Sequence, residues 1–293
     1  MDIHQRAKLL LKLIYVFAAL IFIGLPAGAY FFYQNNTYPD SALQRARYTY
    51  PDFQAMCETN KTGHQNGADK LTTAKGYAFN VKTPSNYQAT FAHPLLVVYA
   101  PTVGRTLMEK YTGLTQQATK AGFIVAYVDG QRLSLDAIPE LGKVPELVSK
   151  NWCIDQKRIF LTGHSDGGTV SSALAFMDTT PFQPTAIAPS AAGITGEELQ
   201  QYQCPTPLSV MIMHNAGDTH FPGFGQQAAS WWAACNQCDS KAHATSDGSC
   251  LRYDNCAKGV ETLYCEGKDG RHISWPRLNP AMIEFFLRSP SKT

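Results

Sequence analysis

The sequence predicts an α/β fold, with a mostly parallel central sheet covered by helices on both faces. Three observations predict it. Continuous apolar runs at 95–99 and 123–128 have the length of strands buried on both faces. Helical stretches alternate with such runs, as at 106–121, which stops at Gly122. A third strand, at 158–162, leads through a glycine-rich turn directly into a helix at 169–177.

The other elements follow in chain order. The chain has 293 residues, 44% of them apolar, and a formal net charge of +2. That charge steers toward no particular partner, and no basic cluster carries interleaved aromatics, which argues against nucleic acid. Arg6, Lys8 and Lys12 precede an uncharged apolar stretch from 13 to 33. The pattern fits a signal peptide cleaved at Ala27-Gly28-Ala29, or an uncleaved signal anchor holding the protein to the membrane. The cations stay in the cytoplasm in both cases, so the rest is expected to be exported, to the periplasm or beyond. Residues 34–56 read as a linker and irregular entry segment, and 57–293 as the folded domain.

Within that domain, 77–81 alternates like an early strand and Pro84-Ser85-Asn86-Tyr87 is a turn. Residues 145–152 read as the second half of a helix. Further strands are expected at 185–188, 208–213 and 260–264, and a closing helix at 282–287.

Eight cysteines accompany the export signal, which favours disulfides. Cys57, Cys153 and Cys204 stand apart, whereas Cys235, Cys238, Cys250, Cys256 and Cys265 crowd one segment. That segment is expected to be a disulfide-stapled insertion near the C-terminus. Eight cysteines allow on the order of a hundred pairings, and the sequence does not choose among them. Cys235-x-x-Cys238 has zinc-ligand spacing, but no second such pair or His pair completes a site, so no metal is expected.

The chemistry is concentrated in Gly163-His164-Ser165-Asp166-Gly167-Gly168, between the strand at 158–162 and the helix at 169–177. Strand, Gly-x-Ser-x-Gly and helix together make a nucleophile elbow, with Ser165 exposed on a sharp turn above a helix N-terminus. A serine hydroxyl needs a base, and the base needs an orienting carboxylate. In the α/β-hydrolase order the acid and then the histidine follow the serine. Asp218 lies just past the strand at 208–213, in His214-Asn215-Ala216-Gly217-Asp218, and is the expected acid. Of the downstream histidines, His220 is too close to the acid and His243 lies in the cysteine-rich segment. His272, in a loop after the strand at 260–264, is the expected base, with His243 the alternative. His164 is expected to point away from the nucleophile and to pack. The oxyanion hole needs two backbone N–H groups. One is expected from Asp166, after the nucleophile. The other is expected from Thr102, with Val103 next, because Pro101 in Ala100-Pro101-Thr102-Val103-Gly104 has no N–H.

These blocks resemble the secreted serine esterases of polyhydroxybutyrate depolymerase, feruloyl esterase and acetylxylan esterase type. The resemblance runs from about Cys57 to Trp275. It rests on Cys153-Ile154-Asp155 and Arg158-Ile159-Phe160 leading into the elbow, on His214-x-x-x-Asp218, on Arg271-His272-x-x-Trp275-Pro276 and on Pro84-x-x-Tyr87. It implies an α/β-hydrolase fold, a Ser165–His272–Asp218 triad, an ester substrate and no cofactor. The family carries His-Gly before the oxyanion loop where this chain has Ala100-Pro101, and the stretch from Gly130 to Trp152 lacks an aromatic-rich substrate loop. A peptidase or acyltransferase would use the same triad, and a non-catalytic membrane-anchored binding domain would keep the same fold.

Overall fold

The structure is a computed structural model that describes Cys57 and residues 61–291 other than 103, 131–132, 181 and 269. The export segment at 1–33 and the linker at 34–56 lie outside the described residues. Among the described residues no helix is long and apolar enough to cross a membrane.

Ten strands form one sheet. They are β1 Ala68–Thr72, β2 Ala78–Lys82, β3 His93–Tyr99, β4 Ile124–Val128, β5 Ile154–His164, β6 Ala186–Ser190, β7 Ser209–Asn215, β8 Ala242–Ala244, β9 Cys250–Tyr253 and β10 Thr262–Gly267. Their order across the sheet is β1-β2-β4-β3-β5-β6-β7-β10-β9-β8. The six strands from β4 to β10 in that order pair in parallel. Both edges end in antiparallel pairs, β1–β2–β4 on one side and β10–β9–β8 on the other. The expected mostly parallel sheet is therefore observed.

The apolar runs sit at its centre because both of their faces are covered. Side chains alternate across a strand, and in β3 Leu95, Val97 and Tyr99 enter one core while Leu96 and Val98 enter the other. The first core is closed by α3 Ala137–Leu141, α4 Val144–Asn151, α5 Asp166–Phe176, α6 Gly196–Leu199 and α7 Phe224–Cys235. The second is closed by α1 Arg105–Thr112, α2 Leu114–Lys120 and α8 Asn279–Arg288, with Met108, Leu114, Met282 and Phe286 fully buried.

One local reading is corrected. The helix expected over 106–121 is two helices, because Gly113 between α1 and α2 takes a left-handed conformation at φ 61. The helix α7 and the strands β1, β8 and β9 were not read from the sequence. The strands are short and mostly half-buried or exposed, and the buried face of α7 is made largely of glycine and alanine, so these elements carry a weak apolar signal.

All eight cysteines pair, as Cys57–Cys153, Cys204–Cys235, Cys238–Cys256 and Cys250–Cys265. The two members of the Cys-x-x-Cys pair thus enter different disulfides. Cys250 and Cys265 face each other across the β9–β10 ladder, and with Cys238–Cys256 they staple the β8–β9 hairpin to the sheet. Cys235 leaves the segment and ties α7 to Cys204.

Candidate active site

The elbow stands at the C-terminal edge of the parallel strands, between β5 and α5. Ser165 has φ 55 and ψ −119, a conformation costly for a residue with a Cβ. The surroundings hold it there. The Ser165 N–H donates to the Ser190 carbonyl at the end of β6 (2.9 Å). Gly167 lets the elbow approach β3, since a Cβ on it would lie 2.0 Å from the Tyr99 carbonyl oxygen. That approach brings the end of β3 and Ala100 against the elbow.

The structure brings Ser165, His272 and Asp218 together from three separate chain segments. Ser165 Oγ lies 2.9 Å from His272 Nε2, and His272 Nδ1 lies 2.8 Å from Asp218 Oδ2. A carboxylate can only accept, so Nδ1 carries the proton and Nε2 presents its lone pair to the serine hydroxyl. The Asp218 carboxylate is buried and accepts two backbone N–H bonds at Oδ1, from His220 (2.9 Å) and Phe221 (3.0 Å). Burial alone would raise its pKa. The N–H donors of Phe221 and His220 and the His272 ring outweigh it and hold the carboxyl below the ordinary range.

The loop that carries His272 is held through its carbonyls. Asn215, at the end of β7, donates through Nδ2 to Arg271 O (3.0 Å) and Ser274 O (2.6 Å). Tyr111 on α1 donates to Ile273 O. His164 Nε2 reaches His272 O at 2.7 Å, and His164 Nδ1 lies 3.0 Å from Ser190 Oγ. The expectation that His164 merely packs is corrected, because its ring bonds the loop that carries His272. Neither Asn215 nor Tyr111 was singled out in the sequence. Asn215 stands three residues before Asp218 and could have been suspected from that spacing.

Two further histidines lie beside this group. His220 packs on the His272 ring with centroids 4.7 Å apart. His214 is buried with Nε2 3.5 Å from Asp218 Oδ2, and burial lowers its pKa. His243, the alternative base, lies on the β8–β9 hairpin, half-exposed and paired with Asp254 at 2.9 Å.

Asp166 is the first residue of α5, so its N–H belongs to the free first turn of the helix. Thr102 is exposed in a turn closed by the Gly104 N–H to the Pro101 carbonyl (3.3 Å). Val103 lies outside the described residues. An open cleft of about 340 Å³ adjoins this loop, lined by Gly104, Arg105, Thr106, Leu107, Lys110 and Asp129. Leu107 and Ile273 add exposed apolar surface on α1 and the base loop. Among the described residues no cluster of His, Cys, Asp and Glu could hold a metal.

The fold is that of the α/β-hydrolases, and the chain resembles, within them, esterases of feruloyl and acetylxylan type. It is 27% identical over 227 residues to feruloyl esterase B of Piromyces equi, an alignment covering 66% of this chain and 42% of that protein. The chain thus matches less than half the length of that relative. Acetyl xylan esterase from Aspergillus awamori superposes with a TM-score of 0.53 at 16% identity, covering 79% of this chain and 98% of that one. A ferulic acid esterase of Anaeromyces mucronatus, in complex with ferulic acid, gives 0.51 at 14% identity, covering 87% and 96%. No protein-family model matches the chain.

Proposed function

We propose that the chain is an exported serine hydrolase that cleaves carboxylic esters through an acyl-enzyme. The observation that carries this reading is the hydrogen-bonded series Ser165 Oγ, His272 Nε2, His272 Nδ1, Asp218 Oδ2, at 2.9 and 2.8 Å, on a strained elbow serine. Ser165 Oγ attacks the ester carbonyl while His272 Nε2 takes its proton. The tetrahedral oxyanion is stabilised by the N–H groups of Asp166 and Thr102. His272 then returns the proton to the leaving alkoxide, and the alcohol departs. Water, deprotonated by the same nitrogen, hydrolyses the acyl-enzyme. Asp218 orients the ring and stabilises the imidazolium. The relatives named as feruloyl and acetyl xylan esterases support aryl-acyl or acetyl esters as the substrate class. Export is supported by four disulfides, which persist in oxidising compartments.

The test is a fluorophosphonate probe with a panel of acetyl, feruloyl and hydroxybutyrate esters. The probe should label Ser165 stoichiometrically, and Ser165→Ala should lose both labelling and hydrolysis while folding normally. Asp218→Asn and His272→Ala should each lose several orders of magnitude, with combined variants falling little further. No labelling of the folded wild-type protein would favour a binding domain, and cleavage of amides over esters would favour a peptidase.

A further inference from the structure

Ser190 contacts the elbow at two points. Its carbonyl accepts the N–H of Ser165 at 2.9 Å, and its hydroxyl lies 3.0 Å from His164 Nδ1. His164 Nε2 in turn lies 2.7 Å from the carbonyl of His272. The directions of these bonds are fixed by chemistry. A carbonyl oxygen can only accept, so His164 Nε2 carries a proton. In a neutral imidazole Nδ1 is then the acceptor, so Ser190 Oγ–H donates. The ring is buried, 3% exposed, and a neutral imidazole is the form burial favours.

The bonds form one path: Ser165 N–H to Ser190 O, then Ser190 Oγ–H to His164 Nδ1, then His164 Nε2–H to His272 O. It joins the backbone of the nucleophile to the backbone of the base without using the reacting atoms. The Ser165–His272 hydrogen bond breaks and re-forms in each cycle, so it cannot hold the two groups in register throughout. The other ties on the base loop, from Asn215 and Tyr111, end on Arg271, Ser274 and Ile273. Only His164, among the described residues, ends on the carbonyl of His272 itself.

We infer that His164 and Ser190 are positioning residues that clamp the backbone of His272 to the nucleophile elbow, keeping Nε2 in reach of Ser165 Oγ through the cycle. The inference rests on the reading of His272 as the base. A misplacement of about 1 Å at such a site costs about 10²-fold.

The experiment compares His164→Leu, His164→Gln and Ser190→Ala, with kcat normalised to sites titrated by fluorophosphonate. His164→Leu removes the donor at similar bulk and should lower kcat by about 10²-fold, with KM changed less than about threefold. His164→Gln restores an N–H and should recover most of that loss. Ser190→Ala frees the ring and should fall between them. A low-field proton resonance of the His272–Asp218 bond should broaden or shift in His164→Leu and return in His164→Gln. A loss of stability alone would reduce titrated sites and leave kcat per site unchanged. Should His164→Leu not fold, nitrogen NMR of the wild-type ring decides, because the clamp demands a neutral His164 protonated at Nε2. An Nδ1–H form overturns the inference, as does a folded His164→Leu with wild-type kcat. That result beside an inactive Ser165→Ala sinks the clamp alone, whereas an active Ser165→Ala sinks the triad itself.

Discussion

The side-chain amide of Asn215 donates to the carbonyl of Ser274 at 2.6 Å, across a gap of 59 residues in sequence. With its second bond, to Arg271 O, it brackets His272 from both sides. The amide is 2% exposed and lies where Gly267 and Gly270 have no Cβ; a Cβ on Gly270 would stand 2.3 Å from Asn215 Cγ. The strand end that leads to Asp218 thus also fixes the loop of His272.

Asn215→Ala leaves two acceptors without their donor and should lower stability by about 1–3 kcal/mol. Activity should fall about 10-fold or more, because the loop that carries His272 gains freedom. Asn215→Asp keeps the shape and turns an oxygen toward two carbonyls. Its loss should equal or exceed that of the alanine variant, in thermal melts and in ester turnover. An aspartate variant with wild-type behaviour would exclude the bracket.

Acid should destabilise the fold in two separate windows. Burial pushes the His164 pKa down to about 4, from 6.5 in the unfolded chain. Between these values the unfolded chain binds a proton that the folded chain does not. Stability is therefore complete above about pH 6.5 and declines as pH falls toward about 4, by on the order of 3 kcal/mol. Burial lowers the His214 pKa in the same direction. Asp218 is held below 3.8, so its contribution is present above that value and is lost only at lower pH. Thermal melts from pH 8 to 3 should show both declines, and His164→Gln should shrink only the upper one, leaving the part that His214 contributes. A flat melting temperature between about pH 7 and 4.5 would contradict the buried neutral histidine.

The four disulfides should not contribute equally. In the chain-entropy account stabilisation grows with the loop closed, from about 3 kcal/mol for 15 residues to about 4.7 for 100. Cys57–Cys153 spans 96 residues and Cys250–Cys265 spans 15. Cys153→Ser paired with Cys57→Ser should therefore destabilise more than Cys250→Ser paired with Cys265→Ser, by one to two kcal/mol in order of magnitude. Denaturant melts of the two double variants measure the difference, and thiol titration of the unfolded, unreduced wild type should find no free thiol. The reverse ranking would show that native packing around β9 and β10 outweighs chain entropy.

Much of the fold was legible because buried parallel strands read as unbroken apolar runs. β3, β4 and β7 were visible in that way, and their C-terminal ends mark where the site residues gather. Ser165, Asp218 and His272 are legible as candidates because each follows a strand end in a fixed chain order, and the structure places them within hydrogen-bond distance. The β8–β9 hairpin was not visible, since its strands are only three and four residues long and are held by disulfides rather than by apolar alternation. Gly113 looks like a tolerable interruption within a helix until its left-handed backbone is seen. The bonds that Asn215 and His164 make to the His272 loop span 56 and 108 residues, so sequence position suggests their proximity to the site but not these partners.

The oxyanion loop carries the last prediction. Thr102 follows Pro101 in a turn whose hydrogen bond runs from Gly104 N–H to Pro101 O. That bond leaves the Thr102 N–H outside the turn. A Cβ on Gly130 would lie 1.8 Å from the Pro101 oxygen, so the loop is pressed against the end of β4 and cannot shift freely. Proline suits the second position of common turns. Thr102→Pro should therefore keep the turn and remove one N–H, a cleaner deletion than in most loops. If that N–H stabilises the oxyanion, acylation should slow by about 10²–10³-fold. Thr102→Ala keeps the amide and should lose far less, since the side chain is exposed. Presteady-state acylation with an activated aryl ester measures both. Equal losses would assign the effect to the threonine hydroxyl or to a collapsed loop. Wild-type rates in both variants would transfer the role to Val103, the next amide along the loop.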